Sequence, residues 1–497
     1  MSLRVRMAPS PTGPLHIGTA RTSLYNYLAA RHSGGTFVLR IEDTDLARNT
    51  LEFERGIIEG LHWLGIAWDE GPQVAGGDDI GPYRPYRQSA RMELYAREAR
   101  RLLDDGNAYP CFCTPDELEA VRQAQERDHQ APRYSGRCRT LTVEQRAAFE
   151  AEGRRAAIRF RTPEQTVAWD DLVRGRVEFD NALLGDFVIV RADGSPLYNL
   201  TAVVDDAAMQ ISEVIRGEDH ISNTPKQIAL YQALGYDLPR FAHIPLILNP
   251  DRTKMSKRKS QTEIDAYRRQ GYLPEAMVNF LAFLGWSPGT EEEIFSLDEL
   301  SARFELSRVH KAGAVFDHDR LDYLNGLYIR SLTDEQLALR LRPFLPDAAE
   351  DATILRLVPL VRERLVRLAD VGELVAFLFQ SDDDVASWYD ADLLLPKKRD
   401  GSQAAMALSA TRDELTTLSD ADWAADTLEA HGRALAERLD WKPGDLFKPI
   451  RVAITGRTVS PPLFGSMELL GRGHSLARID AALGKLQAVA GATEAVR

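Results

Sequence analysis

The chain has 497 residues, of which 44% are apolar and 27% are charged, and its formal net charge is −13. This length predicts several domains, and the net charge argues against a chain that binds nucleic acid over its whole surface, although local basic faces remain compatible with it. No apolar run is long enough to cross a membrane, and the N-terminus MSLRVRM lacks the apolar region of a secretory signal, so we expect a cytoplasmic protein that does not bind membranes.

The first elements are a strand, a stiff loop and a helix. Residues 3–8 predict the strand, three prolines and a glycine within 9–14 exclude regular structure, and Ile17–Ala30 has helical periodicity. This order offers backbone N–H groups and a helix N-terminus to an anion. His16 stands at the helix start, and Gly18 lets a phosphate approach the first turn. A histidine that only caps the helix, without a ligand, is the alternative.

A second strand, Thr36–Ile41, leads into a group of acidic residues. Acidic side chains just beyond a strand lie at the edge of the sheet where ligands bind. For Glu42 we favour a ligand-binding role, whereas Thr44 and Asp45 suit the N-cap of the next helix, Leu51–Leu64.

All three cysteines fall within 28 residues, after a loop over 71–88 and a predicted helix over 91–103. Three cysteines cannot build a disulfide framework, which again favours a reducing compartment. Cys111, Cys113 and Cys138 would supply three of the four ligands of a structural zinc site. The alternative is three small hydrophobic side chains without a metal.

Several short strands follow, over 156–162, 166–170, 176–179 and 186–190. Leu197–Val204 predicts a return to the main sheet, with Tyr198 directed towards its ligand edge, and Ile211–Arg216 predicts another strand. A buried arginine at a strand end requires a partner, and a substrate carboxylate suits the guanidinium of Arg216. Arg6, on the first strand, would pair with a substrate carboxylate in the same way.

The apolar run Ile244–Leu248 predicts a strand that ends in a basic loop, DRTKMSKRK at 251–259. A solvated loop is the simplest interpretation of such a run, but its position beyond a strand favours a loop that folds onto an anionic ligand. Beyond it the pattern is helical almost to the end, with one short extended piece predicted at Lys448–Thr455. A helix over Thr353–Asp370, kinked or split at Pro359, would place Arg364 and Arg367 on one face.

Two of these stretches, His16–Thr19 (HIGT) and Lys254–Arg258 (KMSKR), resemble the HIGH and KMSKS signatures of class I aminoacyl-tRNA synthetases. Both departures from those signatures, Thr19 and Arg258, resemble the bacterial glutamyl branch. Four other segments support the same resemblance: RMAPSPTG from residue 6, RIEDTD from 40, YNLTAVVDD from 198 and VIRGEDH from 214. The chain therefore resembles the bacterial glutamyl-tRNA synthetases over nearly its whole length, most specifically in residues 1–60 and 186–330.

This resemblance implies an α/β fold, with a class I Rossmann-type catalytic domain split by an insertion and followed by a mainly α-helical anticodon-binding region. The implied boundaries are 1–80 and 186–250 for the catalytic domain, 81–185 for an insertion that binds the acceptor end of tRNA, 251–330 for the KMSKS loop and stem-contact region, and 331–497 for the anticodon-binding region.

The resemblance also implies the activity, which is ATP-dependent ligation of L-glutamate to tRNA(Glu) through a glutamyl-adenylate, by a monomer, with Mg²⁺ on the phosphates. His16, Gly18, Lys254 and Lys257 would be catalytic. The remaining implied roles are ATP binding by His16, Gly18, Thr19, Lys254, Ser256 and Lys257; glutamate binding by Arg6, Ser10, Glu42, Tyr198 and Arg216; and tRNA binding by Arg364. Direct pairing of Arg6 with Glu42 is the alternative for those two residues, and a solvated face is the alternative for Arg364.

The relatives also offer a fourth zinc ligand. The spacing from Tyr134 to Cys138 resembles a C-x-C…Y-x3-C site found in some of them, and His129 is the alternative ligand.

Two rival activities belong to related proteins. One is a nucleotidyltransferase that adenylates a small metabolite, and the other is the truncated relative that forms glutamyl-queuosine on tRNA(Asp). Neither needs the long helical region after residue 331, so the length of this chain disfavours both.

Overall fold

The computed structural model describes residues 2–45, 48–255, 261–397 and 399–495. The chain divides into two compact units, one formed by Met1–Arg268 and Pro274–Leu321, the other by Arg269–Leu273 and Asp322–Arg497. Every strand of the described residues lies in the first unit. The strands are β1 (Arg4–Met7), β2 (Thr36–Leu39), β3 (Gly71–Pro72), β4 (Asp79–Ile80), β5 (Ala108–Cys111), β6 (Ala157–Phe160), β7 (Thr166–Asp171), β8 (Gly175–Asp180), β9 (Phe187–Val190), β10 (Glu213–Gly217), β11 (Arg240–Ile244), β12 (Ile247–Leu248) and β13 (Ala314–Val315).

Helices make up most of the remaining regular structure. They are α1 (Ile17–Ser33), α2 (Leu51–Trp63), α3 (Met92–Asp104), α4 (Pro115–Arg127), α5 (Val143–Ala151), α6 (Tyr198–Ala208), α7 (Thr224–Ala233), α8 (Ile264–Arg269), α9 (Pro274–Phe283), α10 (Leu297–Arg303), α11 (His318–Ser331), α12 (Asp334–Leu341), α13 (Asp351–Val361), α14 (Asp370–Val375), α15 (Asp382–Ser387), α16 (Gly401–Thr416), α17 (Ala425–Arg438), α18 (Pro443–Thr455), α19 (Leu463–Leu470) and α20 (Arg472–Ala495). Within the described ranges, no helix combines the length and apolar character that a membrane span requires.

Two parallel strand pairs, β1 with β2 and β10 with β11, form the centre of the first unit. Ser212 joins the pairs, because its N–H donates to the Arg4 carbonyl at 3.0 Å and its carbonyl accepts from the Arg240 N–H at 2.9 Å. Val5, Phe37 and Ile215 are fully buried, as expected for strands covered on both faces. The carboxyl ends of β1 and β10 therefore meet at one edge, where α1 begins.

The segment between β2 and β10 contributes an antiparallel sheet in the order β5–β6–β9 and the hairpin β7–β8. The hairpin packs on the central strands, since the Leu172 N–H donates to the Phe241 carbonyl of β11 at 2.8 Å. Residues that follow β7 therefore lie beside the strand that ends at Ile244.

The second unit is helical from α12 to α20. A large cluster of apolar side chains in its core includes Leu394, Leu408, Leu446, Ile454 and Ile479, all buried.

Two strand predictions were wrong. Leu197–Val204 belongs to α6, and Lys448–Thr455 belongs to α18. Both helices are buried around most of their circumference, so their apolar residues form a continuous run, and periodicity does not separate such a run from a buried strand. Pro443 in the first turn and Gly456 in a left-handed conformation (φ 72°) mark the ends of α18 and were the missed signals.

Two further predictions need correction. The run Ile244–Leu248 is not one strand, because the chain turns between β11 and β12 and the second strand pairs with β13 instead. The predicted helix Thr353–Asp370 ends at Val361, two residues after Pro359, and a 3-10 turn follows. Arg364 lies in that turn, so it does not share a helix face with Arg367.

Candidate functional site

A cavity of about 510 Å³ opens at the edge where β1, β10 and the start of α1 meet. Its position agrees with the rule that parallel sheets bind ligands beyond the carboxyl ends of their strands. Nine of the residues predicted from the sequence line it: Arg6, Ser10, His16, Gly18, Thr19, Glu42, Tyr198, Arg216 and Lys254. The structure thus brings together residues that are up to 248 positions apart in the chain.

His16 is the N-cap of α1, and its Nδ1 accepts a hydrogen bond from the Gly18 N–H at 3.0 Å. A neutral ring that accepts at Nδ1 carries its proton on Nε2, so His16 is able to act as a donor through that nitrogen. A Cβ at position 18 would make an ordinary contact with the His16 ring, at about 3.4 Å, so the protein itself leaves room there for a side chain or for part of a ligand. Capping and ligand binding are therefore compatible roles for this histidine.

Arg6 and Glu42 belong to a buried ionic network, but they do not pair with each other. The Nε of Arg6 lies 3.1 Å from Asp206, and Glu42 lies 3.1 Å from the Nη2 of Arg40. Arg40 also contacts Asp206 at 2.7 Å. The terminal nitrogens of Arg6 have no hydrogen-bond partner among the residues that the structure describes, and Arg6 lines the cavity.

Sequence reasoning missed Arg40 and Asp206 in this network. Both lie within the stretches RIEDTD and YNLTAVVDD that carried the resemblance. Asp206 was missed because α6 was predicted as a strand, which gave the wrong position for its last residues.

Burial raises the pKa of the Glu42 carboxyl above its ordinary value, although the neighbouring Arg40 opposes this effect. The carboxylate of Glu42 thus faces the cavity in an environment where a cationic group, such as an ammonium, would stabilise the charge.

Arg216 is buried, and within the described part of the chain its hydrogen bonds go to neutral acceptors. Its Nε donates to His243 Nε2 at 3.1 Å, and its Nη1 donates to Gln227 at 2.8 Å and to the Tyr198 hydroxyl at 3.4 Å. Its Nη2 donates to Thr224 at 2.9 Å. No carboxylate of the described ranges forms an ion pair with it, and burial lowers its pKa. One N–H of Nη2 thus has no acceptor within the described part of the chain.

Tyr198 and His220 form the wall next to Arg216. The Tyr198 hydroxyl lies 3.2 Å from His220 Nδ1. Burial, together with the charge of Arg216, lowers the pKa of His220 to about 4. His220 is therefore neutral near pH 7 and adds no charge to the cavity.

Lys254 lies at the opposite side of the cavity on the loop after β12. Its Nζ is 3.6 Å from Asp219, and its side chain is mostly exposed. Ser256 and Lys257, which the sequence also assigned to ATP, lie outside the described residues.

The three cysteines cluster away from this cavity. Their Sγ atoms all lie within 4.8 Å of one another, and Cys113 and Cys138 are 3.6 Å apart. The Tyr134 hydroxyl is 3.5 Å from the sulfur atoms of Cys111 and Cys113. Burial raises the pKa of the Cys113 thiol to about 12. His129 does not belong to the metal-binding groups found among the described residues.

Arg364, in the second unit, is exposed and has no ion-pair partner among the described residues. It lies near Arg451, since its charge contributes, after burial, to lowering the pKa of that arginine. Arg356 is exposed and pairs with Glu468 at 3.1 Å.

Comparison with known proteins agrees with this geometry. Residues 2–323 match the family described as tRNA synthetases class I (E and Q), catalytic domain, and residues 336–483 match an anticodon binding domain. The chain is 46% identical to a glutamate–tRNA ligase of Heliobacterium modesticaldum over 488 residues, covering 96% of each chain. It is also 46% identical to a glutamate–tRNA ligase of Moorella thermoacetica, covering 97% of this chain and 98% of the relative.

Solved structures are similar as well. The crystal structure of a glutamate tRNA ligase from Elizabethkingia meningosepticum, in complex with its amino acid, superposes with a TM-score of 0.83 at 33% identity, covering 98% of this chain and 100% of that chain. The predicted fold class is thereby confirmed. Because the family model spans well over half of the chain, this protein belongs to the class I tRNA synthetases of the E and Q group.

Proposed function

We propose that this chain joins L-glutamate to tRNA(Glu), as a glutamate–tRNA ligase. The α-carboxylate of glutamate attacks the α-phosphorus of ATP. The phosphoanhydride bond between the α- and β-phosphates breaks, and diphosphate leaves. A hydroxyl of the terminal ribose of tRNA then attacks the glutamyl-adenylate, and AMP leaves. The curated relatives of near full-length coverage carry the name glutamate–tRNA ligase, which supports the choice of substrate.

The observation that carries this proposal is the set of unsatisfied guanidinium donors in the cavity. Arg6 and Arg216 are 4% and 5% exposed, and both keep donors without partners within the described ranges. A buried cation is stable only when paired, so these donors favour a ligand that brings carboxylates. Glu42 supplies the matching acceptor for an ammonium. Glutamate has two carboxylates and one ammonium, which fits this set.

The same donors discriminate against glutamine. The amide nitrogen of glutamine is itself a donor, so part of its side chain would meet guanidinium N–H groups without an acceptor. A buried charged group left unpaired costs about 2–5 kcal/mol, which is a large factor in affinity. Arg6 and Arg216 would therefore bind glutamate in preference to glutamine.

ATP would lie over the start of α1. Thr19 brings its backbone N–H to the helix N-terminus, Gly18 leaves room there for a phosphate, and His16 and Lys254 flank the same space. Ser256 and Lys257 are assigned to this role on sequence alone. No covalent enzyme intermediate is needed, because positioning of the two substrates and stabilisation of charge on the phosphate supply the rate.

Mg²⁺ belongs to this scheme as the companion of the ATP phosphates. Of the carboxylates that line the cavity, Glu42 contacts Arg40 and Asp219 contacts Lys254. These side chains do not form a dedicated site, so we assign no residue to the ion and no step to it.

A structural zinc ion fits the cysteine cluster. Tetrahedral coordination with Zn–S bonds of about 2.3 Å places sulfur atoms about 3.8 Å apart, close to the spacing of Cys113 and Cys138. Tyr134 is the fourth ligand that the geometry favours. The ion would tie β5 to the loop around residue 138 and takes no part in the transfer reaction.

We also propose how the chain binds tRNA. The insertion 81–185 would bind the acceptor end of tRNA, and the helical region 331–497 would bind the anticodon, with Arg364 in contact with it. The anticodon-domain match at 336–483 supports the second assignment and argues against the truncated glutamyl-queuosine relative. We further propose that the protein acts as a monomer in the cytoplasm.

Aminoacylation with purified components tests the function. With ATP, labelled glutamate and tRNA(Glu), we expect acid-precipitable glutamyl-tRNA and one AMP per product; tRNA(Gln), assayed side by side, reports the range of acceptors. Glutamine should not be transferred. Arg216→Ala should raise the KM for glutamate at least about tenfold, given the cost of an unpaired buried charge, whereas Arg31→Ala, which removes an exposed pair with Asp69, should not. Absence of glutamyl-tRNA with the wild-type protein would refute the proposal.

A further inference from the structure

A buried aspartate–histidine pair lies directly behind Arg216. His243 Nδ1 is 2.5 Å from Asp171 Oδ2, and His243 Nε2 is 3.1 Å from Arg216 Nε. Asp171 and His243 are 4% and 0% exposed. Neither residue lines the described cavity, so they reach a bound ligand only through Arg216.

Asp171 dictates which nitrogen of His243 carries the proton. Its Oδ1 accepts the backbone N–H groups of Val173, Arg174 and His243, at 2.9–3.1 Å, which fixes the carboxylate in place. Its Oδ2 faces the ring, and a carboxylate only accepts hydrogen bonds, so Nδ1 must be the protonated nitrogen.

The other ring nitrogen is consequently an acceptor. Burial lowers the pKa of His243, so the ring is neutral near pH 7 and Nε2 carries a lone pair. Arg216 has donors only, and its Nε–H therefore has a suitable acceptor in this tautomer and no other. The Thr224 hydroxyl lies 3.1 Å from the same nitrogen and is also compatible with it.

Three side chains from two elements thereby hold the plane of the Arg216 guanidinium. His243 of β11 receives Nε, Gln227 of α7 receives Nη1, and Thr224 of α7 receives Nη2. The Phe241 ring lies beneath the guanidinium, 5.7 Å from its central carbon. The donor of Nη2 that remains without a partner among the described residues is fixed in direction by these contacts.

We propose that Asp171 and His243 are positioning residues, which lock Arg216 in the orientation that presents its free donor to a carboxylate of the amino-acid substrate. This inference rests on the proposed function. Asp171 ends β7, a strand of the segment between β2 and β10, so the affinity for the amino acid depends on a hairpin that does not line the cavity.

Asp171→Asn tests this inference with the change of one atom. Its remaining oxygen keeps the three backbone hydrogen bonds, but the new NH₂ group donates to His243 Nδ1 and moves the ring proton to Nε2. A donor then faces the Nε–H of Arg216. We expect the KM for glutamate to rise at least tenfold, while the KM values for ATP and tRNA change less than twofold. Asp186→Asn removes a comparable buried carboxylate, 7% exposed, elsewhere in the segment between β2 and β10 and should leave the KM for glutamate unchanged.

Two substitutions of His243 separate positioning from packing. The amide oxygen of His243→Gln reaches the place of Nε2 and accepts from Arg216 without help from Asp171, whereas His243→Leu removes the acceptor. We expect His243→Gln to bind glutamate more tightly than His243→Leu, and to be insensitive to a second change, Asp171→Asn. Thermal melting and circular dichroism confirm that each variant is folded.

The outcomes distinguish this inference from the function on which it depends. If the wild-type protein and Asp186→Asn do not form glutamyl-tRNA, the proposed function fails. If they do, and Asp171→Asn and His243→Leu bind glutamate as the wild type does, only the positioning role is overturned. Equal losses for glutamate, ATP and tRNA in a folded Asp171→Asn protein would also overturn it, because that result describes a general defect.

Discussion

At the scale of single residues, the site is defined by buried charges that are only partly satisfied. Arg6 pairs with Asp206, and Glu42 with Arg40, yet both keep polar atoms for a ligand. The charge of Arg216 is compensated less than theirs, since its hydrogen-bond acceptors are neutral groups. Such an arrangement costs stability in the free protein and is repaid when an oppositely charged ligand binds.

Glu42→Gln tests the ammonium partner. The substitution keeps the shape of the side chain but removes the negative charge, so the ammonium of glutamate would face Arg40 and Arg6 without compensation. We expect the KM for glutamate to rise at least about tenfold, from a loss of about 2–5 kcal/mol, with the KM for ATP unchanged. Glu70→Gln is the matched control, because Glu70 is buried and pairs with Arg4 but does not line the cavity.

The pH dependence of glutamate binding provides a second measurement on Glu42. Burial raises the pKa of this carboxyl above 4.5, and binding of the ammonium needs the ionised form. As the pH falls, the wild-type affinity should therefore begin to decrease at a higher pH than an exposed glutamate would give. Titration of binding by calorimetry should show this decrease in the wild type and not in Glu42→Gln. The same profile in both proteins would contradict the role of Glu42.

At the scale of elements, a few polar contacts join segments that are far apart in the chain. The hairpin β7–β8 is bound to β11 through the Leu172 N–H, which donates to Phe241, and through Asp171, which contacts His243. The hairpin thereby supports the wall of the cavity at Arg216. The cysteine cluster likewise joins the two ends of the segment 108–139. The small buried apolar cluster of this segment consists of Tyr109, Cys111 and Cys138.

The zinc proposal leads to a prediction at this scale. Elemental analysis of purified protein should find about one zinc ion per chain, and removal by a chelator should lower the melting temperature and speed hydrogen exchange in residues 108–139. Cys113→Ser should lose the ion. Tyr134→Phe keeps the ring on which Arg159 lies, 3.7 Å from its centroid, and removes only the hydroxyl, so it separates ligation from packing. If purified wild-type protein contains no zinc, the proposed zinc site is excluded.

At the scale of the whole molecule, the family matches divide the chain into a catalytic part and an anticodon-binding part. The net charge of −13 does not prevent an RNA partner, because binding depends on local faces. We propose Arg364 and Arg451 as such a face in the second unit. Burial and the charge of Arg364 lower the pKa of Arg451, and an RNA phosphate or base edge would relieve this repulsion.

Arg364→Ala is the corresponding prediction. We expect the KM for tRNA to rise by about 5- to 150-fold, which equals about 1–3 kcal/mol for a lost arginine contact, whereas the KM values for glutamate and ATP stay within twofold. Arg356→Ala is the matched control, because that arginine pairs with Glu468 on an exposed surface. A tRNA affinity equal in Arg364→Ala and wild type would exclude this contact.

The sequence by itself determined the local elements and the chemistry of the site. Strands, stiff loop and helices were predictable up to residue 64, because proline, glycine and apolar periodicity act over a few residues. The predicted N-cap of α2 was wrong, since Thr50 caps this helix and not Thr44 or Asp45. The nine predicted cavity residues were found through motifs and through the match between charged side chains and a dicarboxylic amino acid.

Only the tertiary structure decided the partners of those charges. Asp206, the partner of Arg6, lies 200 residues further along the chain, and His243, the partner of Arg216, lies 27 residues further along. Arg40 is only two residues from Glu42, but the fold turns the two side chains towards each other. The helix α6 could not be told from a strand because it is buried on most sides. Hydrogen bonds and ion pairs act over a few ångströms in space, whatever the separation in sequence. Which donors stay free for a ligand therefore becomes visible only when the fold has assigned all the others.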